Sequence, residues 1–197
     1  TRCAVEASSS FGAFASFTWK FTDTLSATLG GRYTAEQKDV RTEVRSIEDI
    51  DSIIAAPPTE EYLIEASDSW SDFSPRLSVL WEPSDRLSLY ATYSTGFKSG
   101  GFQGQAPTGA AASTPFDPET AKNFELGLKG FFFDRRLSAN VAVFDTKYED
   151  MQVRQNATRP GETIPIIRIT NAGEAEARGV EIEINAQPTD WLNLWAS

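Results

Sequence analysis

Residues 87–104, LSLYATYSTGFKSGGFQG, join a strictly alternating segment to a glycine-rich loop. In an extended strand Leu87, Leu89, Ala91 and Tyr93 fall on one face, and the alternate positions, which all carry hydroxyl groups, fall on the other. One apolar face and one hydroxyl-rich face are typical of a soluble sheet and equally of a membrane barrel wall. The other segments of the chain distinguish between these two architectures.

The composition of the 197 residues disfavours several classes of protein. Hydrophobic residues make up 40% of the chain, the mean hydropathy is −0.34, and no segment approaches the roughly 18 apolar residues of a transmembrane helix. The net charge of −10 disfavours nucleic acid as a partner, since clustered lysine and arginine bind nucleic acids. With no histidine and one cysteine, Cys3, we expect no metal site, no histidine-based catalysis, no internal disulfide and no cofactor.

The alternation recurs along the chain and predicts eight long strands, the first over Phe11–Phe21. The strand that starts at Leu137 is expected to run to about Arg154, and the next strand to start at Ile166. The predicted apolar positions outside residues 87–104 are Phe11, Ala13, Ala15, Phe17, Trp19, Phe21, Leu25, Ala27, Leu29, Gly31, Tyr33, Phe73, Pro75, Leu77, Val79, Trp81, Phe124, Leu126, Leu128, Gly130, Phe132, Leu137, Ala139, Val141, Val143, Val180, Ile182, Ile184, Ala186, Leu192, Leu194 and Ala196.

Short and long connections alternate between the predicted strands. Short turns containing aspartate recur around Asp23, Asp85, Asp134 and Asp190. The long connections are predicted polar loops over Arg45–Asp68, Lys98–Pro118 and Asn156–Glu162. Tight turns at one end of the strands and long loops at the other are typical of outer-membrane barrels.

Aromatic residues form two groups near the two ends of the strands. The group near the short turns contains Trp19, Phe21, Trp81, Phe131, Phe132, Phe133 and Trp191. The group near the loops contains Tyr33, Tyr93, Phe97 and Tyr148. About 8–11 residues separate the groups, which is the length of a tilted strand that crosses a bilayer, and aromatic residues are enriched at both membrane interfaces.

A soluble β-sandwich is the alternative fold, because its strands alternate in the same way. Its connections would not sort into a short end and a long end, and its strands are usually shorter. We therefore predict an all-β fold, an antiparallel meander of about eight long strands in a transmembrane β-barrel; the resemblance described next implies that these strands form an arc of a large barrel.

Several segments resemble one protein family. Residues 90–102, YATYSTGFKSGGF, resemble the strand-to-loop segment of TonB-dependent outer-membrane receptors, especially the ferric-siderophore branch related to the pesticin receptor. Similar segments follow in the order of that family: FDPETAKNFELGLKG, LSANVAVFDTKYEDMQV and NAGEAEARGVEIEINAQPTDWLNLWAS. The opening hairpin with LGGRYTAEQK is similar as well.

The resemblance implies a barrel of about 22 strands filled by an N-terminal plug. The eight strands predicted here account for part of such a barrel, and no plug sequence, TonB-box or aromatic C-terminal residue is recognised. We therefore expect residues 1–197 to be an internal part of the barrel domain, with the plug domain and both barrel ends outside it.

The function implied by the resemblance is transport rather than catalysis: uptake of ferric siderophores or similar iron chelates across the bacterial outer membrane. The implied partners are outer-membrane lipid and lipopolysaccharide, a ferric siderophore-type ligand, and TonB acting through the plug. Cobalamin and carbohydrate receptors share the barrel, so the ligand stays open. Two other hypotheses are a small structural or passive outer-membrane barrel and a soluble carbohydrate-binding β-sandwich.

The candidate site residues form two sets. Six charged residues fall on the polar face and are expected to face the lumen and the plug: Arg32, Arg76, Glu125, Lys129, Glu181 and Glu183. Their alternative role is a ladder of cross-strand salt bridges. At the glycine-rich loop, Phe97, Lys98 and Phe102 combine aromatic rings with a cation and suit an anionic, aryl-rich iron chelate, or else anchor the rim in lipid. The acidic, proline-broken loop over residues 46–68 is expected to be solvated.

Overall fold

The computed structural model describes residues 2–45, 61–157 and 166–197. Its long strands are β1 (Arg2–Lys20), β2 (Leu25–Val44), β3 (Tyr62–Ser84), β4 (Leu87–Lys98), β7 (Glu119–Phe132), β8 (Leu137–Glu149), β11 (Ala175–Thr189) and the shorter β12 (Leu192–Ala196). The loop-end elements are β5 (Gly101–Phe102), α1 (Gly109–Ser113), β6 (Pro115–Phe116), β9 (Gln152–Ala157) and β10 (Ile166–Asn171). Within these described ranges, no helix is long and apolar enough to cross a membrane.

One antiparallel sheet of eight strands dominates the fold, in the order β1-β2-β3-β4-β7-β8-β11-β12. Spatial order follows chain order, so the topology is a meander, and the predicted fold class is confirmed. Short turns join the strands at one end of the sheet, here called the turn end. Longer connections join them at the other end, here called the loop end.

The pairing register keeps the two faces of the sheet distinct across all eight strands. Trp19 lies opposite Ala27, Tyr93 opposite Phe124, and Val143 opposite Val180. The predicted apolar positions therefore share one side, here called the apolar face, and the alternate positions form the polar face. The apolar face is uncovered: Phe17 is 63% exposed, and most of the large side chains on this face are similarly accessible. A continuous apolar surface of this kind marks a contact with lipid or with another apolar partner.

The strands at the start of the chain are longer than the sequence predicted. β1 begins at Arg2 rather than Phe11, and Tyr62–Asp68, predicted as part of a loop, belong to β3. The prediction was wrong there because the acidic residues hid the alternation, whereas in the sheet they are paired: Arg41 of β2 binds Glu65 of β3 at 2.8 Å. Residues 46–60, the rest of the predicted acidic loop, lie outside the described residues.

β2 and β3 are consequently longer than a strand needs to be to cross a membrane. β3 has 23 residues, about 75 Å at 3.3 Å per residue, whereas a tilted strand crosses a bilayer with about 9–11 residues. The surplus lies at the loop end and forms a paired extension, residues 34–44 of β2 with residues 62–72 of β3.

The predicted continuous strands around residues 137–154 and 166–186 are each interrupted. Asp150 (φ 55°) and Gly173 (φ 77°) adopt left-handed backbone conformations, which break the extended path. Beyond these residues β9 and β10 form a separate hairpin, and within the described ranges each of them pairs only with the other. The predicted loop over Lys98–Pro118 likewise contains β5, β6 and α1.

Two aromatic residues differ from the predicted girdles. They are Phe131 and Tyr148. Phe131 pairs with Ser138, which is on the polar face because residue 137 beside it is on the apolar face. Tyr148 pairs with Ala121, which is on the polar face because residue 124, three positions along the same strand, is on the apolar face. Position in the sequence places both rings near a strand end, but strand parity places them on the polar face. They therefore cannot belong to a lipid-facing girdle.

Neither alternative architecture fits the described sheet. Within the described residues β1 pairs only with β2 and β12 only with β11, so the eight strands do not close into a barrel. All eight also lie in one sheet, whereas a β-sandwich needs two packed sheets.

Candidate functional site at the loop end

The extension of β2 and β3 provides a platform on its polar face. Val40, Thr42 and Val44 of β2 are buried there, and Val44 is only 2% exposed. They are covered by residues 99–118, here called the rim loop, which folds back over this face rather than away from it. The loop is rich in small residues, so its backbone approaches the platform closely.

The first half of the rim loop is fixed to the platform by Lys38 and Trp70. The Lys38 ammonium donates to the backbone oxygen of Gly100 (2.9 Å) and lies 5.8 Å from the centroid of the Trp70 ring. The Trp70 ring in turn meets Phe102 edge-on, with centroids 6.3 Å apart. An ammonium over an indole combines a cation–π contact with a charge-assisted hydrogen bond, so this contact holds the loop firmly.

The second half of the rim loop is held at Ala106. Both the Arg2 guanidinium and the Tyr62 hydroxyl donate to its backbone oxygen, each at 2.8 Å. The short helix α1 follows, where the Thr108 hydroxyl accepts a hydrogen bond from the amide of Ala111 (3.2 Å) as an N-cap. Ala112 of this helix is buried.

The rim loop is also bonded to the hairpin of β9 and β10. The Gln103 amide donates to the backbone oxygen of Ile169 (2.5 Å) and accepts from its N–H (3.0 Å), replacing a missing strand partner. The Gln152 amide donates to the backbone oxygens of Ser99 (2.8 Å) and Asp117 (3.1 Å). Loop and hairpin therefore form one connected unit at the loop end.

A cavity of about 670 Å³ lies between the rim loop and β10. Its lining includes Arg168 and Thr170 of β10, Ala110 of α1, and Phe116 and Asp117 of the rim loop. The Thr170 hydroxyl is buried and has no hydrogen-bond partner among the described residues, a condition that costs about 1–3 kcal/mol. Arg168 makes no ion pair or hydrogen bond with any residue that the structure describes.

The predicted ligand-contact residues occupy three different environments. Phe97 lies on the apolar face near the end of β4, opposite Thr120. Lys98 is exposed and its ammonium lies 3.6 Å from the Glu119 carboxylate. Phe102 is 7% exposed and packs against the Trp70 ring of the platform. The structure therefore does not bring these three side chains to one surface.

The six predicted polar-face charges do share one face. The register places them all on the polar side of the sheet: Arg32, Arg76, Glu125, Lys129, Glu181 and Glu183. Within the described sheet, several of these charges contact residues of the neighbouring strand. The Tyr90 hydroxyl donates to Glu125 (2.6 Å), the Lys129 ammonium lies 5.6 Å from the Tyr90 ring centroid, and Asn140 donates to Glu183 (3.2 Å).

Replacing Tyr90 by phenylalanine is expected to lower the free energy of unfolding of the full-length protein by about 1–2 kcal/mol, because Glu125 loses a charge-assisted hydrogen bond. Urea unfolding in lipid vesicles measures the change. Tyr33→Phe is the matched control, since no hydrogen bond to the Tyr33 hydroxyl is found in the described residues, and it should change stability by less than about 0.5 kcal/mol. Equal effects of the two variants would contradict a role for the Tyr90–Glu125 bond.

Charged residues replace apolar ones on the apolar face at the loop end. Lys122 donates to both carboxylate oxygens of Glu149 (2.6 and 2.8 Å), and this hydrogen bonding raises the pKa of the Lys122 ammonium. The Arg178 guanidinium binds Asp145 at 3.0 Å. These four residues, here called the charged band, mark the level at which the apolar face ends.

Sequence reasoning missed most of the residues that build the loop end. Trp70 was detectable, because Ile64 and Ala66 alternate with the polar Glu65 and Ser67 and continue its strand. Gln103 and Arg168 carried no local signal, since their roles depend on the rim loop folding back onto the hairpin. In the ranges that the structure describes, no group of three or more histidine, cysteine, aspartate or glutamate residues is placed to hold a metal ion.

Known receptors match this chain along most of its length. The ferric-pyoverdine 358 receptor of Pseudomonas putida is 30% identical over 124 residues, covering 62% of this chain and 14% of that receptor. The ferric-pyoverdine M114 receptor PbuA of Pseudomonas sp. (strain M114) is 26% identical over 189 residues, covering 94% and 20%. The pesticin receptor of Yersinia pestis is 32% identical over 108 residues, covering 55% and 15%. The chain thus spans 14–20% of the length of these curated relatives.

Solved structures share the fold. The ferric yersiniabactin uptake receptor FyuA of Yersinia pestis superposes with a TM-score of 0.75 at 21% identity, covering 96% of this chain and 26% of FyuA. The ferric-catecholate import receptor Fiu of E. coli K12 gives a TM-score of 0.65 at 17% identity, covering 95% and 26%.

The family described as "TonB dependent receptor-like, beta-barrel" matches residues 4–197, nearly the whole chain. The match agrees with the meander, the exposed apolar face and the separation of short turns from long loops. The family predicted from the sequence is therefore confirmed. The chain belongs to the TonB-dependent receptor β-barrel family of the bacterial outer membrane.

Proposed function

We propose that the chain is part of a receptor that takes up ferric siderophores or similar iron chelates across the outer membrane. The observation that carries this proposal is the similarity to receptors named for ferric pyoverdine, one of which aligns over 94% of this chain. The rim loop lies on the polar face, where a ligand entering the lumen from outside the cell would meet it.

The domain assignment is part of the proposal. Residues 1–197 would form one arc of a larger barrel wall, with the plug domain and the remaining strands contributed by other parts of the receptor. Two observations support an arc: the chain covers 26% of FyuA, and β1 and β12 have free edges among the described residues. TonB would act through the plug.

The polar face would then line the lumen. Arginine and lysine cost about 2–4 kcal/mol in the middle of a bilayer and glutamate somewhat less, so Arg76, Lys129 and Glu125 fit a wet or protein-filled side. Contacts of the six polar-face charges with the plug are proposed, alongside the cross-strand contacts already described.

The apolar face would contact outer-membrane lipid, and the charged band would lie among lipopolysaccharide headgroups. The band supports this position because Lys122 and Arg178 follow directly above Phe124 and Val180 on the same face. Of the predicted ligand contacts, Lys98 is exposed at the rim and is retained as a candidate. Phe97 and the buried Phe102 would support the rim rather than bind the ligand.

Uptake by cells tests this function. A strain lacking its own siderophore receptors would express the full-length receptor under iron limitation and receive radioactive iron as ferric pyoverdine, a ferric catecholate or a ferric hydroxamate. We expect TonB-dependent accumulation of at least one chelate and none of labelled cobalamin or oligosaccharide. Accumulation that is independent of TonB would favour a passive barrel, and uptake of oligosaccharide alone would contradict the iron assignment.

A further inference from the structure

The cavity between the rim loop and β10 has the character of a ligand subsite. We propose that it binds an anionic ferric chelate, with Arg168 as the anion-binding residue; this rests on the proposed uptake of iron chelates. Its volume of about 670 Å³ lies within the range of about 300–1,000 Å³ found for small-molecule sites.

The charge of the hairpin favours an anion. The chain carries a net charge of −10, yet β9 and β10 contain two arginines, Arg154 and Arg168, and no carboxylate. Arg168 lines the cavity and has no partner among the residues that the structure describes, so its planar fork of N–H donors is free to bind carboxylate, catecholate or phenolate oxygens.

The rest of the lining complements such a chelate. The Thr170 hydroxyl has no hydrogen-bond partner among the residues that the structure describes and would gain one from a ligand oxygen. Phe116 and Ile167 offer apolar surface to aryl rings. Asp117 is the one carboxylate among the described lining residues, and it provides an acceptor for a ligand hydroxyl or amide N–H.

The walls of the cavity are held in place before any ligand arrives. Gln103 binds both backbone groups of Ile169, and the Asn171 amide donates to the backbone oxygens of Asp117 (2.8 Å) and Asp150 (2.8 Å). A preformed site binds more tightly than one that must be ordered by its ligand.

Paired arginine variants of the full-length receptor test the role of charge. Arg168→Gln is expected to weaken binding of an anionic ferric tris-catecholate by roughly 10–100-fold, because a charge-assisted contact is lost. Binding of an uncharged ferric tris-hydroxamate should weaken much less. Arg154→Gln is the matched control: it is on the same hairpin but does not line the cavity, and its affinities should stay within about twofold of the wild type. Fluorescence quenching on purified receptor in detergent gives both affinities.

A second pair of variants tests occupancy of the cavity. Ala110→Trp places an indole into the cavity and should weaken binding of the tris-catecholate, whereas Ser113→Trp, on the same helix but outside the lining, should not. If the wild type takes up an iron chelate while Arg168→Gln and Ala110→Trp bind the tris-catecholate normally, the subsite is wrong and the proposed function stands. Equal weakening of both chelates by Arg168→Gln would also overturn the anion assignment. If the wild type neither binds nor transports any iron chelate, the function and the subsite both fail.

Discussion

Replacing Ile182 by arginine is expected to lower the free energy of unfolding of the full-length receptor in a lipid bilayer by about 2–4 kcal/mol. Ile182 lies on the apolar face of β11, opposite Val141, and is 51% exposed in the isolated sheet. In the proposed barrel wall that exposed surface would face hydrocarbon near mid-depth, where a guanidinium loses its hydration without gaining a partner. Urea titration of the receptor folded in vesicles, followed by tryptophan fluorescence, measures the loss.

Asn140→Arg is the matched control for this prediction. Asn140 lies on the neighbouring strand at nearly the same height but on the polar face, opposite Glu183. An arginine there stays in water and gains an ion pair with that carboxylate, so we expect a change within about 1 kcal/mol. If both arginines destabilise equally, or if only the Asn140 variant does, the assignment of lipid to the apolar face is wrong.

The second large effect is expected at Gly100, where even alanine should detach the rim loop at a cost of about 1–3 kcal/mol. A Cβ at this position would lie 2.3 Å from the backbone oxygen of Phe116 and 2.6 Å from the Trp70 ring. The oxygen belongs to β6, which pairs with β5, so it cannot move aside without breaking that pairing. Limited proteolysis of the folded receptor should then cleave the loop at least about fivefold faster, because a cost of about 1 kcal/mol raises the population of the detached loop by about that factor.

Gly104 provides the control, because it lies in the same loop and a Cβ there has no neighbour within 4 Å. Gly104→Ala should leave the rate of cleavage within about twofold of the wild type. A protected loop in the Gly100 variant would show that the rim loop does not pack on Trp70 as described.

The barrel-wall part of the sheet was predictable because the alternation within each strand shows which of its faces is apolar. The alternation from Leu87 to Tyr93 and from Phe124 to Phe132 can be recognised without knowing which strands lie beside them. The pairing register then follows from the requirement that the apolar positions of all strands share one side of the sheet. Parity within a strand is equally local, and the misplacement of Phe131 and Tyr148 came from grouping residues by distance along the chain rather than by parity.

The loop end was not predictable in the same way, because its contacts join segments far apart in sequence. Lys38 reaches Gly100 and Gln103 reaches Ile169, and neither pairing has a periodic signal. The left-handed backbone at Asp150, which separates the hairpin from β8, is also uncommon for a non-glycine residue. Candidate site residues at the loop end, such as Lys98 and Phe102, could therefore be chosen by the chemistry of their side chains, but their positions in the fold could not be predicted.

The buried apolar side chains of the described structure lie at the loop end. Val40, Val44, Phe102, Ala106 and Ala112 belong to the platform or the rim loop, whereas the barrel-wall part of the sheet has no core of its own. In the proposed barrel the stability of the wall would therefore depend on lipid at one face, lumen contents at the other and neighbouring strands at the edges.

Spin-label accessibility along β8 tests most directly that this sheet is a membrane wall. Single cysteines at positions 138–143 would be introduced into the full-length receptor carrying Cys3→Ser, which removes the exposed native thiol, and labelled in lipid vesicles. We expect labels at 139, 141 and 143 to collide mainly with oxygen dissolved in the bilayer, and labels at 138, 140 and 142 to collide mainly with a water-soluble nickel complex. Accessibility without this two-residue period, or with the nickel complex reaching every position, would contradict the account.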